Sequence, residues 1–510
     1  MRRTVARVLL VLGAAWLAVL LVAAITGGFT LGPLSVTTAK PLRFALLTLV
    51  AGALLLPVKE LPRRALLSAL GFAALYGIGL RLTRWLAFDN AAFDLTLFES
   101  TLHHTLQGNF MHAWGLNRPL FSEHFEPIVL FHLPLYALVR HSAVLQLTES
   151  LAVTFAAVPL YRCARVLGLD ARIAALVAAA YLLNPFVWAG NRDFHPEMFG
   201  PLVVFTALHA SLTRRWLKLY VALFFALCLK EEMALVMLCF APLVLRGPEP
   251  QRRWPHALAV GARSLVWGVV AFKLVMPASH PAEVELHPLA SRWSHLGATY
   301  PQMALGLLSR PGWTVGLLFQ EAPLTLFTSL GFVPLADPLG FLAALPPLYL
   351  HLTGDYETAS KLVGYYGIFA TTLLFVATLF GLQRIQKKLS PNVALAAALL
   401  PVLALPTLPF FARPTQTDLH AAAFIEHQLP KDAVVCAQSP LAPHLTPDAK
   451  TLKLIPYCEG ATFVLLAKHL DRWPLLEAAD YDTFVEATLA KGVTTRFHEG
   501  GYLFLQTAGP

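Results

Sequence analysis

Asn191-Arg192-Asp193-Phe194-His195-Pro196-Glu197 lies between two apolar runs, Ile173–Trp188 and Met198–Leu212. Two acids, an arginine and a histidine are packed into that short connection. Ionisable groups at membrane depth are costly and are retained for function, whereas in a water-exposed connection they cost little. The reading of the whole chain therefore turns on where this stretch lies. Phe93-Asp94-Leu95-Thr96-Leu97-Phe98-Glu99 and Lys230-Glu231-Glu232 have the same character, and the question is whether all three meet on one side of a membrane.

Around them the 510-residue chain is 56% hydrophobic and 14% charged, with mean hydropathy +0.60. Soluble domains carry about 25% charged residues, so this is an α-helical polytopic membrane protein. The net charge of +9 sits in clusters between apolar runs: Arg2/Arg3/Arg7, Lys59/Arg63/Arg64, Arg162/Arg165/Arg172, Arg214/Arg215/Lys218, Arg246/Arg252/Arg253 and Arg384/Lys387/Lys388. That is the positive-inside pattern. The excess charge is topological, and it argues against a nucleic-acid partner. Met1–Ile25 has a basic head and an apolar core longer than a usual signal core, with further spans behind it, so it reads as a retained signal anchor. Cys163, Cys228 and Cys239 fall in apolar runs at no metal-ligand spacing. Cys436 and Cys458 fall in a polar region, and their spacing leaves a disulfide open.

With the N-terminus inside, spans near 8–26, 42–58 and 65–86 deliver residues 87–127 to the outer face. This loop is rich in acids and histidines (Asp89, Asp94, Glu99, His103, His104, His112, Glu123, His124, Glu126), with Arg118 its only strong base. Leu95, Phe98, Leu102 and Leu106 recur at helical spacing, which predicts an amphipathic helix over Asp94–Gln107 on the membrane face. Ile128–Val139 is too short for a core about 30 Å thick and reads as re-entrant. Spans follow near 143–162, 172–189 and 198–213, which puts Asn191–Glu197 outside. Trp216–Leu245 is basic at both ends, so it reads as a hairpin of two arms, each about 20 Å at 1.5 Å per residue, with Lys230-Glu231-Glu232 at its tip. Lys230 and Glu231 point about 100° apart on a helix, so each needs a partner elsewhere. Further spans lie near 262–277, 322–335, 338–350, 363–382 and 392–411, about thirteen in all. The chain divides into N-terminal helices (1–86), the acidic outer loop (87–127), a transmembrane bundle (128–412) and a small outer α/β domain (413–510). In that last part helices are expected at Asp418–Leu429 and Tyr481–Lys491, and strands at Ala433–Ala437, Phe463–Leu466 and Tyr502–Gln506.

The motifs together carry a resemblance. Phe93-Asp94-Leu95-x-x-Phe98-Glu99, His124-Phe125-x-Pro127, Asp193-Phe194-His195-Pro196-Glu197, Lys230-Glu231-Glu232 and Ser439-Pro440-Leu441-Ala442-Pro443-His444-Leu445 look like an uncharacterised prokaryotic membrane family, domain-of-unknown-function family 2079. The resemblance runs from about Trp85 to the end. That family often has Asp at the positions of Glu99 and Glu232, and Ser at that of Glu126. It resembles in turn the GT-C membrane glycosyltransferases, which take sugars from polyprenyl-phosphate donors and keep an acidic base in the first outer loop.

The resemblance implies a catalytic Asp94, although Asp at a helix start is also a good N-cap. Glu99, Arg192, Asp193, His195, Glu197, Lys230 and Glu231 are the candidate substrate-binding residues. Asp193, His195 and Glu197 could instead hold a divalent metal, though no zinc signature such as His-Glu-x-x-His is present. Lys230, Arg192 and Arg118 are the candidates for a lipid phosphate. The implied partners are membrane lipid and a polyprenyl-phosphate-linked sugar, at the inner membrane of the cell. A transporter or flippase of lipid-linked substrate, and a non-catalytic envelope protein, are the competing classes. Repeated halves with matched broken helices would mark a transporter, and this chain has no visible repeat.

Overall fold

The computed structural model describes residues 2–26, 29–31, 34–36, 45, 48, 62–90, 94–114, 116, 118–190, 193–247, 249–280, 288–403, 411–445, 451–475 and 477–507. Apart from residues 45 and 48, the span expected near 42–58 lies outside these residues, as does Arg192.

The described chain is a helical bundle followed by a small sheet domain. Its main helices are α1 (Arg2–Thr26), α2 (Pro62–Leu86), α3 (Asp94–Leu106), α4 (Ala143–Phe155), α5 (Ala157–Val166), α6 (Ala171–Leu183), α7 (Gly200–Leu212), α8 (Trp216–Leu227), α9 (Met233–Phe240), α10 (Trp254–Val269), α11 (Pro338–Leu352), α12 (Ile368–Lys388), α13 (Gln416–His427) and α14 (Ala478–Leu489). Among the described residues, Thr4–Ala23, Ala143–Val166, Trp254–Ser279 and Glu357–Lys388 are long and apolar enough to cross a membrane. Shorter apolar helices make up the rest of the bundle. Many of them start where the sequence marks a start. Asn184 caps the turn Pro185–Trp188 by accepting from the Phe186 N–H at 3.0 Å. Asp337 caps α11 through the Gly340 N–H at 3.1 Å and also receives Arg246 at 2.7 Å.

The axis of the bundle is α12, buried on every face from Ile368 to Leu382, as expected of a helix that is apolar all round. Its neighbours approach closely through small residues. A Cβ at Gly381 would stand 2.7 Å from the Val333 carbonyl, so only glycine fits there.

The run Trp216–Leu245 is the expected hairpin. Tyr220 of α8 bonds His256 near the start of α10 (2.7 Å), and Gly261 faces Leu238 of α9 and Ala241 just beyond it. About two turns further on, Leu227 lies beside Trp267 and Ala234 faces Gly268. The two arms therefore run antiparallel along α10, and Cys228–Glu232 forms the tip.

One expectation is corrected. Helix α3 has the predicted start, but it does not lie on the membrane face: every residue from Leu95 to His103 is buried. The short helices between Pro127 and Leu138 and the segment Ser439–His444 of the C-terminal domain pack on it, which a one-sided hydrophobic pattern could not foretell.

The C-terminal domain is a five-stranded sheet, β1 (Val434–Ala437), β2 (Thr451–Leu454), β3 (Phe463–Ala467), β4 (Thr494–Glu499) and β5 (Tyr502–Gln506), in the order β2-β1-β3-β5-β4. β1 is parallel to β2 and β3, while β5 is antiparallel to β3 and β4. Alternate residues face opposite sides: Phe463, Leu465 and Ala467 pack with Phe424 of α13, and Val464 and Leu466 pack with Tyr481 of α14. Cys436 and Cys458 form a disulfide on the second face.

Candidate active site

The three charged stretches meet at one end of the bundle. Asp94 is the first residue of α3, where the helix dipole favours an acid. Its Oδ2 lies 3.9 Å from His195 Nε2, and 31% of its side chain is open. Burial, and then repulsion from Glu197, push the Asp94 carboxyl up to about 6. Burial, reinforced by the charges of Lys230 and Arg81, holds His195 well below the usual histidine range. The imidazole beside Asp94 is thus neutral.

The loop that carries His195 is held by a buried cross-brace. Arg81 of α2 donates to Glu149 Oε1 on α4 and, at 2.7 Å, to the Asp193 carbonyl. Glu149 Oε2 in turn accepts the His195 N–H at 3.1 Å. Phe194 is seated edge-on against Phe98 of α3, with ring centres 5.1 Å apart. Removing either member of the brace would strand a buried charge, which is worth far more than a surface pair.

Lys230 pairs with Glu197 and lies 3.7 Å from Glu126, with its ammonium 5.1 Å from the centre of the Tyr365 ring. Glu231 turns the other way, accepting from His124 Nδ1 and from the Phe125 N–H, both at 2.9 Å. Glu232 faces His351 Nε2 at 3.6 Å. The Ile128 N–H donates to the Cys228 carbonyl at 2.8 Å and so joins the outer loop to the hairpin tip.

Beside this cluster lies a cavity of about 1020 Å³. Its polar end holds Lys230, Glu231, Glu232, His124, His351 and Arg292. Its walls, among them Leu235, Leu238, Leu265, Phe272 and Leu342, are apolar. The guanidinium of Arg292 lies 4.5 Å from the centre of the Tyr356 ring, and no ion pair among the described residues includes it. Tyr365 lines the cavity on one side and lies against His195 on the other, with ring centres 3.8 Å apart. It therefore stands between the cavity and Asp94.

Of the residues singled out from sequence, Asp94, Asp193, His195, Glu197, Lys230 and Glu231 come together. Glu99 does not join them. It is buried on α3, accepts from the Tyr136 hydroxyl at 3.3 Å, and is pushed by burial up to about 8. Arg118 is ion-paired with Glu123. Glu126, Glu149, Arg81, Arg292 and Tyr365 were missed. Arg81 inside the apolar run Gly77–Leu86 and a lone glutamate in Val144–Val153 were the available signal for the brace, because a charge inside an apolar run needs a partner. Among the described residues no three His, Cys, Asp or Glu side chains are grouped to hold a metal ion, so the Asp193–His195–Glu197 stretch does not fit one.

The family described as "Predicted membrane protein (DUF2079)" matches residues 84–462. No curated protein matches the chain. Among solved structures it is similar to the Archaeoglobus fulgidus oligosaccharyltransferase in complex with zinc and sulfate, at 16% identity over 76% of this chain and 62% of that one, with a TM-score of 0.44. The chain thus spans less than two thirds of that protein. It is also similar to ArnT from Cupriavidus metallidurans bound to undecaprenyl phosphate, at 13% identity over 84% of this chain and 97% of that one, with a TM-score of 0.46. The apo form of ArnT gives 13% identity and a TM-score of 0.39.

Proposed function

This chain belongs to the DUF2079 family of predicted membrane proteins, and from that premise we propose that it is a membrane glycosyltransferase. It moves a sugar from a polyprenyl-phosphate donor to an acceptor hydroxyl at the outer face of the inner membrane, with its N-terminus in the cytoplasm. The observation that carries the reading is the cavity of about 1020 Å³, which has Arg292 and Lys230 beside Glu231 and Glu232 at its polar end and apolar walls, and which Tyr365 and His195 separate from a carboxylate raised to about 6. Such a shape suits an amphipathic ligand with an anionic head and a hydrocarbon tail.

In this reading Asp94 takes the proton of the acceptor hydroxyl as its oxygen bonds to the anomeric carbon. The carbon–oxygen bond to phosphate breaks, and its electron pair leaves with the polyprenyl phosphate. Negative charge then grows on the phosphate, where a fixed cation is most useful. Arg292 fits that role better than Lys230, because Lys230 is already committed to Glu197 and Glu126. Neutral His195 borders Asp94 and leaves it a free base.

The test is reconstituted protein with labelled lipid-linked sugars, after a screen for a competent donor. Asp94→Asn is expected to insert and fold normally while transfer falls by about 10²- to 10⁴-fold. Arg292→Gln should raise the donor KM by about tenfold with little change in folding, because it removes one charge-assisted contact. Undiminished transfer by Asp94→Asn would overturn the catalytic assignment. Movement of lipid-linked sugar across the bilayer without transfer would favour the flippase.

A further inference from the structure

A second pocket, of about 550 Å³, lies away from this site in the groove between α8 and α10. Leu223, Phe224, Leu227, Val266 and Trp267 line it, and one cation, Arg263, stands among them. The guanidinium lies 4.7 Å from the centre of the Tyr220 ring and donates to the Ala259 carbonyl, one turn back, at 3.2 Å. Arg263 is exposed, and no ion pair among the described residues includes it.

A cation on the lipid-facing flank of a spanning helix is costly unless its head reaches a polar layer. The bond to Ala259 turns this head toward the start of α10, beside the Arg246/Arg252/Arg253 cluster that the positive-inside pattern puts on the cytoplasmic side. Tyr220 is one turn into α8, so the head sits roughly 6 Å from the helix start at 1.5 Å per residue. The head therefore lies near the basic, open end of the hairpin and not near its tip. The rim is polar as well: the Tyr220 hydroxyl bonds His256 at 2.7 Å, and His256 stacks on Trp216.

We propose that this groove binds an anionic phospholipid of the cytoplasmic leaflet, of the phosphatidylglycerol or cardiolipin class. Its phosphate pairs with Arg263 and one acyl chain runs along Leu223, Leu227, Val266 and Trp267. Charge selects the class, since a zwitterionic head would bring its own cation against Arg263. The site stands independently of the transfer reaction. The groove ends at Trp267, 5.4 Å ring to ring from Phe125, whose N–H holds Glu231.

The experiment reconstitutes the full chain in bilayers of equal parts phosphatidylglycerol and phosphatidylcholine, and then measures retained lipid by native mass spectrometry. The wild type is expected to keep phosphatidylglycerol and to gain thermal stability from it. Arg263→Gln should lose both, with retention at least about tenfold weaker, and with an unchanged Tm in phosphatidylcholine alone as the folding control. Equal retention by Arg263→Gln would overturn the site. So would equal retention of phosphatidylcholine by the wild type. Preferential displacement of phosphatidylglycerol by added undecaprenyl phosphate would overturn the assignment to a phospholipid.

Discussion

At the scale of single residues, the roles of Asp94 and Lys230 separate. A base must be anionic, and the Asp94 carboxyl is raised to about 6. Transfer should therefore be level above pH 6 and fall as pH drops through 6, because protonation removes the acceptor. A pH–rate profile of kcat/KM from pH 4.5 to 8 checks this, and a flat profile would remove Asp94 from the chemistry. Lys230 is expected from sequence to steady the donor, but its pairing with Glu197 and Glu126 gives it a larger structural task. Lys230→Met leaves two buried carboxylates facing each other and should destabilise the protein by about 3–5 kcal/mol. Adding Glu197→Gln should restore part of that loss. Thermal unfolding in detergent measures both.

At the scale of elements, a stacked contact joins the two parts of the chain. His444, at the end of the segment Ser439–His444, lies between Trp85 and Phe88, both with ring centres 4.1 Å away. Its Nε2–H donates to the Trp85 carbonyl at 2.8 Å. Trp85 stands in the last turn of α2 and Phe88 in the turn that follows it, on the way toward Asp94. Burial pushes the His444 imidazole down to about 3, so the docked state holds it neutral while a freed histidine protonates below about pH 6.5. The stability from this contact is complete above that pH and is lost as pH falls toward 3. His444→Ala should speed hydrogen exchange at Ala87–Asp89 at neutral pH. In the wild type the same acceleration should appear on acidification. Exchange there that is unchanged in both conditions would show that the docking does not depend on the imidazole.

For the whole molecule, the charges argue for one orientation of the chain, which labelling can test. Arg214, Arg246, Arg252 and Arg253 lie at the open end of the hairpin and Glu231 and Glu232 at its tip, and the positive-inside pattern assigns the basic end to the cytoplasmic face. The Cys436–Cys458 disulfide supports an oxidising compartment for the sheet domain. In a background without the three free cysteines, Lys491→Cys should react with an impermeant maleimide in intact cells. Arg252→Cys should react only after permeabilisation. The opposite result would invert the topology and remove the outer-face site.

Class, charge distribution and the three polar stretches were legible in the sequence alone, because hydropathy and charge patterns are local properties of a chain. The hairpin at Trp216–Leu245 followed from its length and its two basic ends. The inner strands β1, β3 and β5 followed from short β-rich apolar runs. The edge strands β2 and β4 were not legible: Thr494–Glu499 is mostly exposed and shows no alternation, and an edge needs none. Only the tertiary structure decided which charges pair. Lys230 meets Glu197 rather than its neighbour Glu231, Arg81 meets Glu149, and α3 is covered rather than surface-bound. An ion pair depends on a few ångströms between residues far apart in the chain, and burial makes that distance count.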